Sequence, residues 1–309
     1  MTTRIFSICS IALVSLVFAA ACGGGDGGGG GGVITADGSS TVGPFVIRAA
    51  EDFKAAAGVD VTVGISGTGG GFERFCAGET DLSNASRAIS EEEEALCADG
   101  GVEFLEVRVA TDTLTNVVNA ENDWATCLTV EQLNSIWEPG SDVNNWNQVD
   151  SSFPDVALKL YGAGTDSGTF DYFTDAINGE EGASRTDYQA TEDDNVTVQG
   201  VAGDRGALGY FGFSYFEENQ GTLKALEVDG GNGCVAPSAQ AAQDGTYAPL
   251  SRPLLVYVKR SSFEGKPAVR DFITFMLDNN TSIAEAAQFV PLSDDQIAGE
   301  RTKIEEAGA

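Results

Sequence analysis

Three times along this chain a strand-like run passes through a turn of glycine and hydroxyl residues and enters a helical pattern. The turns are DGSSTVGPF at 37–45, GISGTGGGFERF at 64–75 and GAGTDSGTFDYF at 162–173. A strand that feeds a helix through a short turn is the building unit of α/β architecture, so this recurrence constrains the fold more than any other feature. It also constrains the chemistry. The first turn of a helix carries unpaired N–H groups and the positive end of the helix dipole, and neighbouring Ser and Thr add hydroxyl donors. One such turn is explained by an ordinary N-cap or a structural glycine turn. Three with the same composition, two early and one late, describe a cleft for a small anion.

The rest of the chain extends the alternation. VTVGI at 61–65, FLEVRVA at 104–110, ALKLYGAG at 157–164 and LLVYVKR at 254–260 read as strands. The stretches at 45–58, 129–137, 169–177 and 268–280 read as amphipathic helices, and the sheets are expected to be mostly parallel. A length of 309 residues exceeds what one core usually organises, which predicts two lobes. The first is expected to span 33–112 and 251–309, with 113–250 inserted as the second and two crossover strands as the hinge. Trp124, Trp137 and Trp146 fall in the second lobe and are expected to pack its core rather than stack on a ligand.

Ahead of Val33 the sequence is of another kind. Residues 1–21 carry Arg4, an apolar run and three small residues, Ala19 to Ala21, which is the layout of a signal peptide and too short for a comfortable membrane span. Cys22 follows directly and resembles the lipidated cysteine of a bacterial lipobox, although Ala19 stands where leucine is usual. Residues 22–32 then form a glycine tract that predicts a flexible tether. The chain is thus expected to be exported and held on the outer side of the cytoplasmic membrane by lipid alone. Four cysteines remain in the folded part, an even number in an oxidising compartment. Of the three possible pairings, Cys76 with Cys97 and Cys127 with Cys234 is preferred, because each bond then stays within one lobe.

Composition closes several routes. With 17 basic and 47 acidic residues the net charge is −30, which opposes nucleic acid and anionic lipid surfaces and requires any anion to be held by short-range contacts. There is no histidine, which removes Ser-His-Asp and Cys-His nucleophilic sites and most zinc sites. The second turn lacks the lysine of a P-loop and only approximates a dinucleotide fingerprint. No metal, cofactor or catalytic residue is expected.

The segments GSSTVGP, GISGTGGGFERFCAGETDLSNASR, GTDSGTFDYF, VQGVAGDRGALGYFGF and SRPLLVYV resemble the phosphate-binding component of bacterial phosphate ABC transporters, over about Val33 to Phe289. The resemblance implies a two-lobed periplasmic-binding-protein fold of type II, with mixed sheets flanked by helices and the ligand in the interlobe crevice. It carries Ser40, Thr41 and the Val42 N–H onto the first phosphate-contacting turn, Thr68 onto the second, and Ser167, Gly168 and Thr169 onto the third. Ser66, two residues before Thr68, is the alternative should the register be shifted by two. Two positions depart from better-known members: Ser86 stands where an aspartate is usual and Ala163 where an arginine is usual. Arg87 is expected to supply the missing cation, and Asp166 is a candidate acceptor for the phosphate proton.

The expected function is therefore capture of inorganic phosphate by a monomer, which delivers it to the permease subunits of a transporter without breaking a bond. A binding protein for another oxyanion, a surface phosphate sensor or adhesin, and more remotely a phosphatase are the alternatives.

Overall fold

The computed structural model describes residues 32–308, so the expected signal segment, Cys22 and most of the glycine tract lie outside the described residues. Twelve strands are formed among the described residues: β1 (Ile34–Gly38), β2 (Val61–Val63), β3 (Leu82–Ala85), β4 (Phe104–Asn119), β5 (Cys127–Thr129), β6 (Lys159–Ala163), β7 (Gln189–Thr191), β8 (Ala207–Gly212), β9 (Leu223–Ala225), β10 (Glu227–Asp229), β11 (Cys234–Val235) and β12 (Ser251–Lys259). Nine of them make one sheet in the order β2-β1-β3-β12-β4-β8-β6-β7, with β9 also on β4; β11, β10 and β5 make a small second sheet.

In the large sheet the expectation of mostly parallel pairing holds only at the two wings, and in the small sheet only β5 and β10 pair that way. At the wings β1 pairs in parallel with β2 and β3, and β6 with β7 and β8, as strand-turn-helix units require. The middle of the large sheet is antiparallel: β12 on β3 and β4, then β4 on β8 and β9. The reason lies in β4. The apolar run FLEVRVA does not end at 110 but continues through TDTLTNVVN as one strand of 16 residues. Its first part pairs with β12 and its last with β8, so one strand serves both halves of the sheet.

Two main apolar clusters form, and their members divide near residues 110–114 and again near 250–254. The first gathers Ile34, Phe45, Phe53, Val109, Val256, Phe272 and Met276. The helix Gly43–Ala57 shows how: Pro44 presets its first turn, Gly58 closes it in the left-handed region at φ 71°, and Phe45, Val46, Ala49, Ala50 and Phe53 make its buried face. The second cluster is built around Trp137, Trp146, Phe173 and Tyr210. Trp137 meets Phe173, Tyr188 and Tyr210 edge-on, and Trp124 meets Trp146 likewise, so the tryptophans pack as expected. Arg185 is buried beside them, donating to the carbonyls of Ile136 and Val143 at 2.9 and 2.8 Å and forking onto Asp187.

Both preferred disulfides are formed. Cys76–Cys97 joins the helix after the second turn to the next helix, and Cys127–Cys234 ties β5 to β11 across the small sheet. No helix among the described residues is long and apolar enough to cross a membrane.

Candidate functional site

The first two turns are locked together by one buried carboxylate. Asp37, at the end of β1, accepts from the N–H of Gly38 at 2.7 Å and of Ser66 at 3.0 Å, and it pairs with Arg74. Burial pushes this carboxyl up, but the hydrogen bonds from Ser66 and Gly38 and the Arg74 charge outweigh it and hold it below the usual aspartate value. Glycine is required where the turns touch. A Cβ on Gly71 would come within 2.5 Å of the Gly38 Cα, and one on Gly64 within 2.7 Å of the Asp37 carboxyl.

From this base the turns present their hydroxyls. In the first, Ser39 Oγ accepts from the Val42 N–H at 3.4 Å, and the helix begins one residue later, ahead of Pro44. The Val42 side chain is fully buried beneath the turn. In the second, Ser66 precedes the helix Gly67–Cys76, and Thr68 Oγ1 lies 3.2 Å from Ser86 Oγ while accepting from the Ser86 N–H at 3.3 Å. In the third, Ser167 caps the helix Gly168–Asn178 by accepting from the Thr169 N–H at 3.1 Å. This turn faces the first directly: a Cβ on Gly168 would stand 3.0 Å from Thr41 Oγ1.

Ser40, Thr41, Ser66, Thr68, Ser86 and Arg87 line a cavity of about 760 Å³. Ser167, Gly168 and Thr169 line a second cavity of about 200 Å³, which shares Ser40 and Thr41 with the first. Ser40 and Thr41 of the first turn are therefore common to both cavities, and Thr41 is also the one that approaches the third turn at Gly168. Asp166 is exposed and lines neither cavity; its N–H leans on Glu192 at 3.4 Å. Arg87 is half exposed at the rim, where Nη1 and Nη2 fork onto Glu93 at 2.7 and 2.8 Å. Ala163 is buried on β6, and its carbonyl accepts from Tyr188 Oη at 2.7 Å.

The structure adds residues that the sequence reading passed over. Arg252 lines the larger cavity, donates from Nη2 to Thr41 Oγ1 at 3.1 Å and from Nε to Asp112 at 3.1 Å, and lies 3.7 Å over the Tyr172 ring. Asp112 and Asp194 line the smaller one. Burial pushes the Asp112 carboxyl up against the opposing pull of Arg252. Burial, then the charges of Asp193 and Glu192, push Asp194 up to about 6. The signals were present: Arg252 stands in SRPLLVYV beside the strand read as 254–260, and Asp112 is a charge inside what is one unbroken strand. Neither could be located without knowing that β4 runs on past residue 110.

The arrangement offers hydroxyls, helix-start N–H groups and two arginines, and among the described residues there is no histidine to act as a base. Residues 25–280 match the sequence model of the PBP superfamily domain. Protein SphX of Synechocystis is 47% identical over 265 residues, covering 85% of this chain and 79% of that protein. The phosphate-binding protein PstS of Staphylococcus saprophyticus is 38% identical over 276 residues, covering 88% and 84%. A crystal structure of a possible phosphate binding protein from Planctomyces limnophilus superposes with a TM-score of 0.84 at 42% identity, covering 89% of this chain and 98% of that one.

Proposed function

This chain belongs to the PBP superfamily, and from that premise we propose that it binds inorganic phosphate between its two halves and delivers it to the permease subunits of a phosphate ABC transporter. The observation that carries the reading is that three hydroxyl-rich turns, each at the start of a helix, line two adjoining cavities that share Ser40 and Thr41. The ligand set comprises Ser40, Thr41, the Val42 N–H, Ser66, Thr68, Ser86, Arg87, Ser167, Gly168 and Thr169. A bound oxyanion takes over donors that now serve each other, such as the Thr169 N–H on Ser167 and the hydroxyl shared by Thr68 and Ser86. Charge-assisted bonds of this kind are about twice as strong as neutral ones, which offsets the exchange.

The halves 33–112 with 251–309, and 113–250, act as two lobes that close on the anion, with β4 and β12 as the hinge. Closure removes water from the site and gives the permease a distinct surface to recognise. The protein works as a substrate-binding component rather than an enzyme, as a monomer. Cys22 carries the lipid that holds it outside the cytoplasmic membrane, and the glycine tract lets the folded part turn above it.

Competition calorimetry between phosphate and sulfate across pH tests the ligand. Phosphate is expected to win by at least tenfold; equal affinities for the two ions would sink the phosphate reading. Release of inorganic phosphate from a phosphomonoester would point instead to hydrolysis.

A further inference from the structure

Two arginines reach the larger cavity, and they are not equivalent. Arg87 stands at the rim, about half exposed, with its Nη1–Nη2 fork already on Glu93. Arg252 stands deeper, with its side chain 18% exposed. Its environment is built from both halves of the molecule. Arg252 of β12 and Asp112 of β4 are directly opposed in the antiparallel ladder of the two strands that join the halves. The Asp112 carboxylate takes Nε at 3.1 Å and Nη2 at 3.0 Å on a single oxygen, which fixes the plane of the guanidinium. Nη2 also donates to Thr41 Oγ1 at 3.1 Å, on the first turn. The opposite face lies on the Tyr172 ring, on the helix of the third turn, and Tyr172 is itself held because its hydroxyl donates to the Pro249 carbonyl at 2.8 Å. Among the described residues Nη1 has no hydrogen-bond partner.

We propose that Arg252 is the principal cation for the bound oxyanion and that, by touching the first turn, the third-turn helix and both joining strands at once, it couples occupancy of the site to apposition of the two halves. The proposal rests on the oxyanion reading above. A guanidinium held on one edge by a carboxylate and on one face by an aromatic ring keeps its remaining N–H groups pointed in a fixed direction, so little order is lost when an anion arrives. Because it is shielded from water, its charge acts at a lower effective dielectric than that of Arg87 at the rim. Asp112 is then a positioning residue: it aims the guanidinium and keeps the pair close to neutral until the anion enters.

Calorimetric titration of inorganic phosphate into the full-length chain and its variants tests this. Arg252→Met is expected to weaken binding at least 100-fold. Arg252→Lys, which keeps the charge but loses the fork, is expected to weaken it about tenfold, and Arg87→Met less than tenfold. Thermal melts without phosphate establish that each variant is folded. Where Arg252→Met does not fold, Arg252→Lys carries the test. Folded Arg252→Met within threefold of the parent, Arg252→Lys at parent affinity, or a larger loss from Arg87→Met would each overturn the proposal. A parent chain that binds no phosphate would overturn the function reading and this inference with it; parent binding with an indifferent Arg252 would overturn the inference alone.

Discussion

Thr41 and Asp194 show how single side chains set the character of this cleft. Thr41 brings the first turn against the third, and its hydroxyl accepts from Arg252 while standing 3.0 Å from where a side chain on Gly168 would begin. Thr41→Val, nearly the same shape without the hydroxyl, is expected to weaken phosphate binding by about tenfold, with the melting temperature little changed. Asp194 bears on stability instead. Its carboxyl is pushed from the ordinary 3.8 up to about 6, first by burial and then by Asp193 and Glu192. Between those values the folded state holds more protons than the unfolded one, so its ionisation costs stability as pH rises through 6 and costs nothing below 3.8. Asp194→Asn is therefore expected to raise the melting temperature by about 2–5 °C at pH 7 and leave it unchanged in acid. A shift of equal size at both pH values would contradict this. At this scale the sequence was legible where residues act locally, as with the Ser167 cap, and opaque where they act across the sheet. Arg252 and Asp112 are 140 positions apart and meet only through the β12–β4 register.

The elements explain why the site is stiff. The helix Gly67–Cys76 lies so close to β1 that Gly71 has no room for a methyl, with the Gly38 Cα 2.5 Å and the Asp37 carbonyl oxygen 3.1 Å from where a Cβ would be. Gly71→Ala should therefore push the second turn away from the first, costing about 1–3 kcal/mol by denaturant unfolding and weakening phosphate binding with it. Unchanged stability would mean the helix can slide without cost. The Cys127–Cys234 bond closes a separation of 107 residues, so converting both cysteines to serine is expected to cost about 2–4 kcal/mol. Helices were read from sequence to within a residue or two at 45–58 and 129–137, since their periodicity and caps are local. The sheet was read less well. Pairing direction depends on which strands become neighbours, and the polar residues Thr111, Asp112, Thr113 and Thr115 hid the continuation of β4 beyond residue 110 although all four are buried.

For the whole molecule, an acidic exterior surrounds a cleft that attracts an anion only at contact range. A net charge of −30 repels phosphate at a distance, and the hydroxyls, helix starts and Arg252 must overcome that repulsion within the cavity. The proposed anchor is checked by replacing Cys22 with serine, which is expected to move the chain from the membrane fraction to the soluble one. The central claim is that one site, assembled from three turns in two halves, holds one oxyanion. Equilibrium dialysis of the full-length chain against radiolabelled phosphate tests it most directly. The account predicts one phosphate retained per chain, displaced poorly by sulfate, and lost when Thr41, Thr68 and Ser167 are together replaced by alanine in a chain that still melts cooperatively. Retention that survives the triple replacement, or no retention by the parent chain, would contradict it.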